Sequence, residues 1–208
     1  MVKALLRTAV IGTIRLKARF ELSRRGYLDF MNARPPNALA PDYADLWFLY
    51  QLVRETKPKI VIEFGSGCST VIIAQALADN GVGHITSIDA QDAWAEVTKS
   101  SVPDDLEAYC EVVYSPVVEE EFAGIPVFRH SNVPDLRPDF LYLDGPTLRP
   151  GRQVAVDPVI IEDGFQDGFV MAVDGRLANV DFLDDHLKRD YLVRRHRFSS
   201  STVFRLKH

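Results

Sequence analysis

Cysteine is scarce: Cys68 and Cys110 are the two in 208 residues. Two thiols cannot build a disulfide framework and are consistent with a reducing compartment. Long hydrophobic runs are missing too, with none near the roughly 20 residues that cross a bilayer. Arg7 and Arg15 interrupt the apolar residues at the start, and no small-residue cleavage site follows. A secretory signal is therefore not expected, and a cytoplasmic location is. Positive charge is in deficit, because Lys+Arg number 24 against 29 Asp+Glu, for a net charge of −5 and a pI near 5.5. Such a chain as a whole repels nucleic acid, so nucleic acid is not expected as a partner. Neither an internal repeat nor a low-complexity tract occurs.

What is present is an ordinary globular composition, 47% hydrophobic and 25% charged, in a chain long enough for one sheet with helices on both faces. Charge is unevenly spread. Residues 1–33 carry Lys3, Arg7, Arg15, Lys17, Arg19, Arg24 and Arg25 against Glu21 and Asp29. Residues 1–40 read as a basic helical arm, with Leu5, Leu6, Ala9, Val10 and Thr13 compatible with one face. The arm ends at Arg34-Pro35-Pro36-Asn37, which cannot continue a helix. It could pack on residues 41–208, on a second copy in a homodimer, or on an anionic membrane surface.

From Pro41 helices and strands alternate. Asp42 caps a helix running to Lys57, and Pro58 closes it. Lys59 to Phe64 is a β-branched run suited to a buried parallel strand. The pattern then predicts a helix over 69–79, a strand from His84 to Asp89, a helix over 91–100 and a strand from Cys110 to Tyr114. Gly124-Ile125-Pro126 makes residues 117–130 a hairpin. A strand from Phe140 to Leu143 follows, then a helix over 152–162, a strand from Phe169 to Val173 and a helix over 177–189. Strands near 191–198 and 202–206 are joined only by Ser199-Ser200-Ser201, so the last must be antiparallel. The expected fold is a three-layer α/β Rossmann-like sandwich around a seven-stranded, mostly parallel sheet.

Three acids stand where strands end. Glu63 precedes Phe64-Gly65-Ser66-Gly67, whose glycines permit a tight turn and close approach of backbone to a ligand. Ser69 and Thr70 open the next helix. Asp89-Ala90 ends the second strand, where a carboxylate can accept from both hydroxyls of a ribose. Asp144 ends Phe140 to Leu143, beside Asp174-Gly175-Arg176 at the end of the next strand. Asp144 is the first candidate for a base or acceptor-orienting group, with Asp174 and Arg176 next. Among the histidines, His130 could overhang this crevice, His84 reads as structural, and His186 and His196 read as surface positions. Trp94 could cover an adenine or pack a helix on the sheet, and Cys68 reads as a small buried filler.

These motifs resemble the class I S-adenosylmethionine-dependent methyltransferases over about residues 58–207. Glu63-Phe64-Gly65-Ser66-Gly67 is similar to the acidic-x-Gly-x-Gly motif of that family, Asp89 to its ribose-binding acid, and Asp139 to Pro146 to the strand beside methyl transfer. The resemblance implies S-adenosylmethionine (SAM) as cofactor, held by Glu63, Gly65, Ser66, Gly67, Ser69, Thr70, Asp89 and Ala90. It further implies a small-molecule acceptor methylated on a hydroxyl, a sugar among the candidates. Some members bind Mg²⁺ at two such strand-end acids, but an Asn or Asp usually follows the second, where this chain has Gly175. An NAD-linked enzyme, whose fingerprint wants glycine where Thr70 stands, and a cofactor-binding protein without turnover are the alternatives.

Overall fold

Four short runs rich in Val, Ile, Leu and Phe are buried on both faces, the pattern of strands covered by helices above and below, and a fifth, Cys110 to Tyr114, is only partly buried. In the computed structural model, which describes residues 2–36, 38, 40–147 and 154–207, they form the parallel part of one sheet. The elements in chain order are α1 (Val2–Ser23), α2 (Tyr43–Thr56), β1 (Ile60–Phe64), α3 (Cys68–Asn80), β2 (His84–Asp89), α4 (Asp92–Lys99) and β3 (Cys110–Tyr114). The hairpin β4 (Val117–Phe122) and β5 (Ile125–His130) follows, then β6 (Phe140–Leu143), α5 (Asp157–Ile160), β7 (Val170–Val173), α6 (Leu177–His186), β8 (Tyr191–Arg195) and β9 (Thr202–Leu206).

The sheet has seven strands in the order β3-β2-β1-β6-β7-β9-β8. Strands β1, β2, β3, β6 and β7 pair in parallel, and β9 runs antiparallel to both β7 and β8. The chain leaves β1 towards β2 and β3, then returns to place β6 on β1's other edge. The crevice between the β1 and β6 loops is thus a topological switch point, where open α/β sheets hold their ligands. Alternation along β1 divides the interior in two: Val61 packs with α2 and α3, while Ile62 and Phe64 pack with α6 and the hairpin side.

The hairpin forms as expected, turning at Ala123 and Gly124, both with positive φ, in a separate two-stranded sheet. Three elements and the buried face of α1 differ from the sequence pattern. In place of a helix over 152–162 there is one turn, Asp157–Ile160. Residues 152 and 153 lie outside the described residues. Ala155 bridges to Phe128 in parallel, because Phe128 N donates to Val154 O, Val156 N donates to Phe128 O, and the Asn179 amide bonds both backbone groups of Ala155. Helix α6 stops at His186 rather than 189, since the buried Glu162 carboxylate accepts from Lys188 N and Arg189 N and draws the chain away. Strand β8 ends at Arg195. The inward stripe of α1 is Ala18 and Leu22, whereas Val10 and Thr13 face outward; the side chains of Leu5, Leu6 and Ala9 lie outside the described residues. Leu16 and Phe20 are 70% and 63% exposed. Among the described residues no helix is long and apolar enough to cross a membrane.

Candidate active site

Register places the first acid. Glu63 lies opposite Ser87 on β2 and Tyr142 on β6, with its side chain on the α3 face. It is wholly buried and accepts three hydroxyl hydrogen bonds, from Ser69 Oγ at 2.5 Å, Thr70 Oγ1 at 2.5 Å and Ser87 Oγ at 2.6 Å. Burial nevertheless outweighs those bonds and pushes its pKa up to about 7. Thr70 Oγ1 also accepts from Gly67 N at 2.9 Å, so Glu63, Thr70 and the glycine turn form one hydrogen-bonded unit.

A carboxylic acid raised in the folded state favours folding below its unfolded pKa, near 4.5, and that contribution is lost as pH rises through about 7. Glu63→Gln keeps the shape and removes the titration. Its denaturation midpoint relative to the parent should therefore improve from pH 5 to pH 8. A gap between the two midpoints that stays constant over that range would show that Glu63 does not titrate there.

Above this unit the β1 and β6 loops touch. Gly65 N donates to Ile88 O at 2.8 Å, and Asp144 N and Gly145 N both donate to Phe64 O, at 2.9 and 2.6 Å. Gly65 has φ +94°, and a Cβ there would sit 2.6 Å from Gly145 N. Gly67 differs, with open space where its Cβ would be. Asp89 is clamped at the rim: Oδ2 accepts from Ser66 N at 2.9 Å and Ser66 Oγ at 2.7 Å, and Oδ1 from Gln91 N at 2.8 Å.

These groups border a cavity of about 400 Å³ whose other wall is formed by Arg34, Ala40, Pro41, Asp42, Asp45 and Leu46. Gly65, Ser66, Gly67, Ser69, Asp89, Ala90, Asp144 and Asp174 all line it, as do Trp94 and Cys68. Glu63 and Thr70 lie beneath the loop instead. Arg176 stands behind the lining, its Nη2 donating to Asp144 O at 2.5 Å and to Thr147 Oγ1 at 2.7 Å, so it braces the β6 loop rather than pairing with a carboxylate. His130 does not overhang the crevice. It is buried, with Nδ1 3.0 Å from Asp157 Oδ2 and its ring beside Phe64. His186 is half-buried rather than fully solvated, since it stacks on Phe182 and its Nδ1 meets Phe182 O at 2.8 Å.

Sequence reasoning missed Asp45 as a site residue and gave Asp42 only its helix cap, which the structure shows at 2.9 Å from Ala44 N. Asp45 lines the cavity and shares Ser200 with Asp174: Ser200 N and Oγ reach Asp45 at 2.7 and 2.9 Å, and the hydroxyl also bonds Asp174 Oδ1. An acid one turn into an amphipathic helix carries no local signal of this. Burial pushes Asp45 up to about 6, and burial with the Asp174 charge pushes Asp144 up to about 8. Five carboxylates (Asp42, Asp45, Asp89, Asp144 and Asp174) therefore line the cavity, against Arg34 as its one basic residue among those described. Arg34 Nη1 itself donates to Cys68 Sγ at 2.7 Å. A cavity of that sign attracts cationic groups and repels phosphates. Among the described residues no group of three or more His, Cys, Asp or Glu side chains is arranged to hold a metal, and Asp174 is engaged by Ser200, so the site does not fit Mg²⁺.

A family model described as a methyltransferase domain matches residues 62–175, more than half of the chain. Solved structures share the fold. An O-methyltransferase from Bacillus cereus in complex with S-adenosylhomocysteine (SAH) is 14% identical with a TM-score of 0.60, covering 95% of this chain and 100% of its own. A methyltransferase from Geobacter sulfurreducens is 13% identical at 0.54, covering 94% and 89%. An O-methyltransferase from Streptomyces achromogenes involved in tomaymycin synthesis, in complex with SAM, is 14% identical at 0.51, covering 94% and 88%. No protein of curated function matches the sequence.

Proposed function

The chain belongs to this methyltransferase-domain family, and from that premise we propose that it transfers the methyl group of SAM to a hydroxyl of a small molecule, sugars included. The observation that carries the reading is the sign of the crevice: five acidic side chains against one guanidinium at the switch point, an acid excess that holds with Asp144 protonated. A sulfonium and an α-amino group suit that field, whereas the pyrophosphate of NAD does not. The titles of two fold neighbours name SAH or SAM as the bound molecule, which supports the same cofactor here.

The residues fit that cofactor. Asp89 would receive the ribose hydroxyls, and Gly65, Ser66, Gly67, Ser69 and Ala90 would face the amino-acid portion, with Glu63 and Thr70 holding the loop from below. When bound, SAM supplies an activated methyl group on sulfur. The chain's own work is then to position an acceptor and take its proton. Asp144 is the base in this reading, Asp174 raises its pKa, and Arg176 fixes its loop through the Asp144 carbonyl. Residues 41–208 are the catalytic domain in the same reading and 1–40 an arm whose exposed Leu16 and Phe20 suit a second copy or a membrane surface. A cytoplasmic location belongs to this proposal.

Calorimetric titration with SAH, with NAD⁺ in parallel, tests the cofactor. Saturable micromolar binding of SAH alone is expected. Binding of NAD⁺ alone, or of neither, would overturn the assignment.

A further inference from the structure

A second cavity, of about 480 Å³, opens on the same face of the sheet but away from the crevice, between α2 and the β8–β9 edge. Its origin is architectural. Register pairs Leu192 with Arg205 and Arg194 with Val203, so these four share one face of the terminal strands. Val203 packs into the α2 side of the core, but β8 projects beyond the helix, leaving Leu192 41% exposed and Arg194 exposed. Phe48, Gln51, Leu52 and Glu55 of α2 form the facing wall.

The chemistry of the lining is opposite to that of the crevice. Arg194, Arg205 and His196 stand around an apolar floor of Phe48, Leu52 and Val203, with Arg195 and Arg197 also in the lining and Glu55 as its one acid among the described residues. Glu55 is already placed 3.5 Å from Arg205, and the Arg194 side chain makes no hydrogen bond or ion pair with a described residue. In a chain of net charge −5, setting the Arg194 and Arg205 side chains on one face beside His196 costs mutual repulsion that an anion would relieve. His196 adds a directed donor. Its ring stacks on Phe48, centroids 4.0 Å apart, and its Nδ1 accepts from Ser199 N at 3.1 Å. That bond puts the ring proton on Nε2, which has no partner among the described residues.

We propose that this cavity is a binding site for a phosphorylated small molecule with an apolar or aromatic body, its phosphates held by Arg194, Arg205 and His196 and its body laid on Phe48, Leu52 and Val203. Guanidinium forks match phosphate geometry, and the volume lies in the range of small-ligand sites. Both features are needed, because a protective basic edge strand requires no apolar concavity beneath it.

Magnesium-free ADP is the probe, titrated calorimetrically into the full chain with and without SAH. Saturable ADP binding that is unaffected by SAH is expected, with adenosine and inorganic pyrophosphate each more than tenfold weaker. Arg194→Ala/Arg205→Ala should weaken ADP more than tenfold while leaving the melting temperature and SAH affinity alone. Arg194→Glu, at an exposed position, serves as the second variant and should do the same. Displacement of ADP by SAH would put the nucleotide in the crevice and overturn the proposal. So would pyrophosphate or adenosine binding as tightly as ADP, undiminished binding in both variants, or no saturable binding.

Discussion

Gly65→Ala should destabilise the protein by about 3 kcal/mol or more, while Gly67→Ala, two residues on, should leave its stability nearly unchanged. At Gly65 two penalties coincide. The backbone sits at φ +94°, where an L-residue is strained, and the new Cβ would lie 2.6 Å from Gly145 N and 2.7 Å from Gly145 Cα. Those are main-chain atoms at the end of β6, pinned by Gly145 N to Phe64 O at 2.6 Å, so no side chain can swing aside. For a chain of this size the melting temperature should fall by roughly 6–12 °C. Gly145→Ala meets the same contact from the other side, 2.6 Å from Gly65 Cα. Separating the loops once relieves both clashes, so the double variant should lose less than the sum of the singles. A Cβ on Gly67 meets nothing within 4 Å. It would enter the space reserved for ligand, and SAH affinity should fall at least tenfold with the melting temperature held. If Gly65→Ala melts with the parent, the two loops are not in the contact described.

That contrast shows what local sequence carries. Gly65 and Gly67 look alike as a Gly-x-Gly turn, and only the return of β6 to the free edge of β1 separates a glycine needed for packing from one needed for ligand approach. The strands were legible because buried parallel strands are made of apolar runs, such as Ile60 to Ile62 and Phe140 to Leu143. Segment 154–156 was not, because Val154, Val156 and Val159 are spaced for either state and the hydrogen bonds of Phe128 decide it. The cofactor side was readable for a related reason: Asp89 sits at a strand end, held by Gln91 of its own turn and by Ser66 of the glycine turn on the adjacent strand. The acceptor side is built from long-range meetings. Asp45 and Asp174 are joined by Ser200, 155 residues from Asp45, and no pattern within one segment announces it. His130 was misread on the same account, since its partner Asp157 lies 27 residues away and draws it into the core.

Asp144→Asn should lower turnover by about 100-fold or more while changing SAH affinity less than threefold, within the range over which a positioned base contributes. The carboxyl lies in the crevice at the end of β6, and burial together with the neighbouring Asp174 charge lifts it to about 8. A base must be deprotonated to accept, so kcat/KM for SAM, which reports the free enzyme, should climb about tenfold per pH unit below that value and level off above it. The Asn variant should lack the inflection. The same geometry predicts a proton count that needs no acceptor. A cationic ligand placed beside a carboxyl raised to about 8 lowers its pKa, so SAM should displace a proton at pH 7, whereas SAH, with an uncharged sulfur, should displace far less. Calorimetry in buffers of different ionisation enthalpy reads that difference directly, and Asp144→Asn should abolish it. Unequal proton release retained in the Asn variant would transfer the role to Asp45, which burial lifts only to about 6. Equal turnover by parent and variant would reduce Asp144 to a strand-end acid that holds the β6 loop in place.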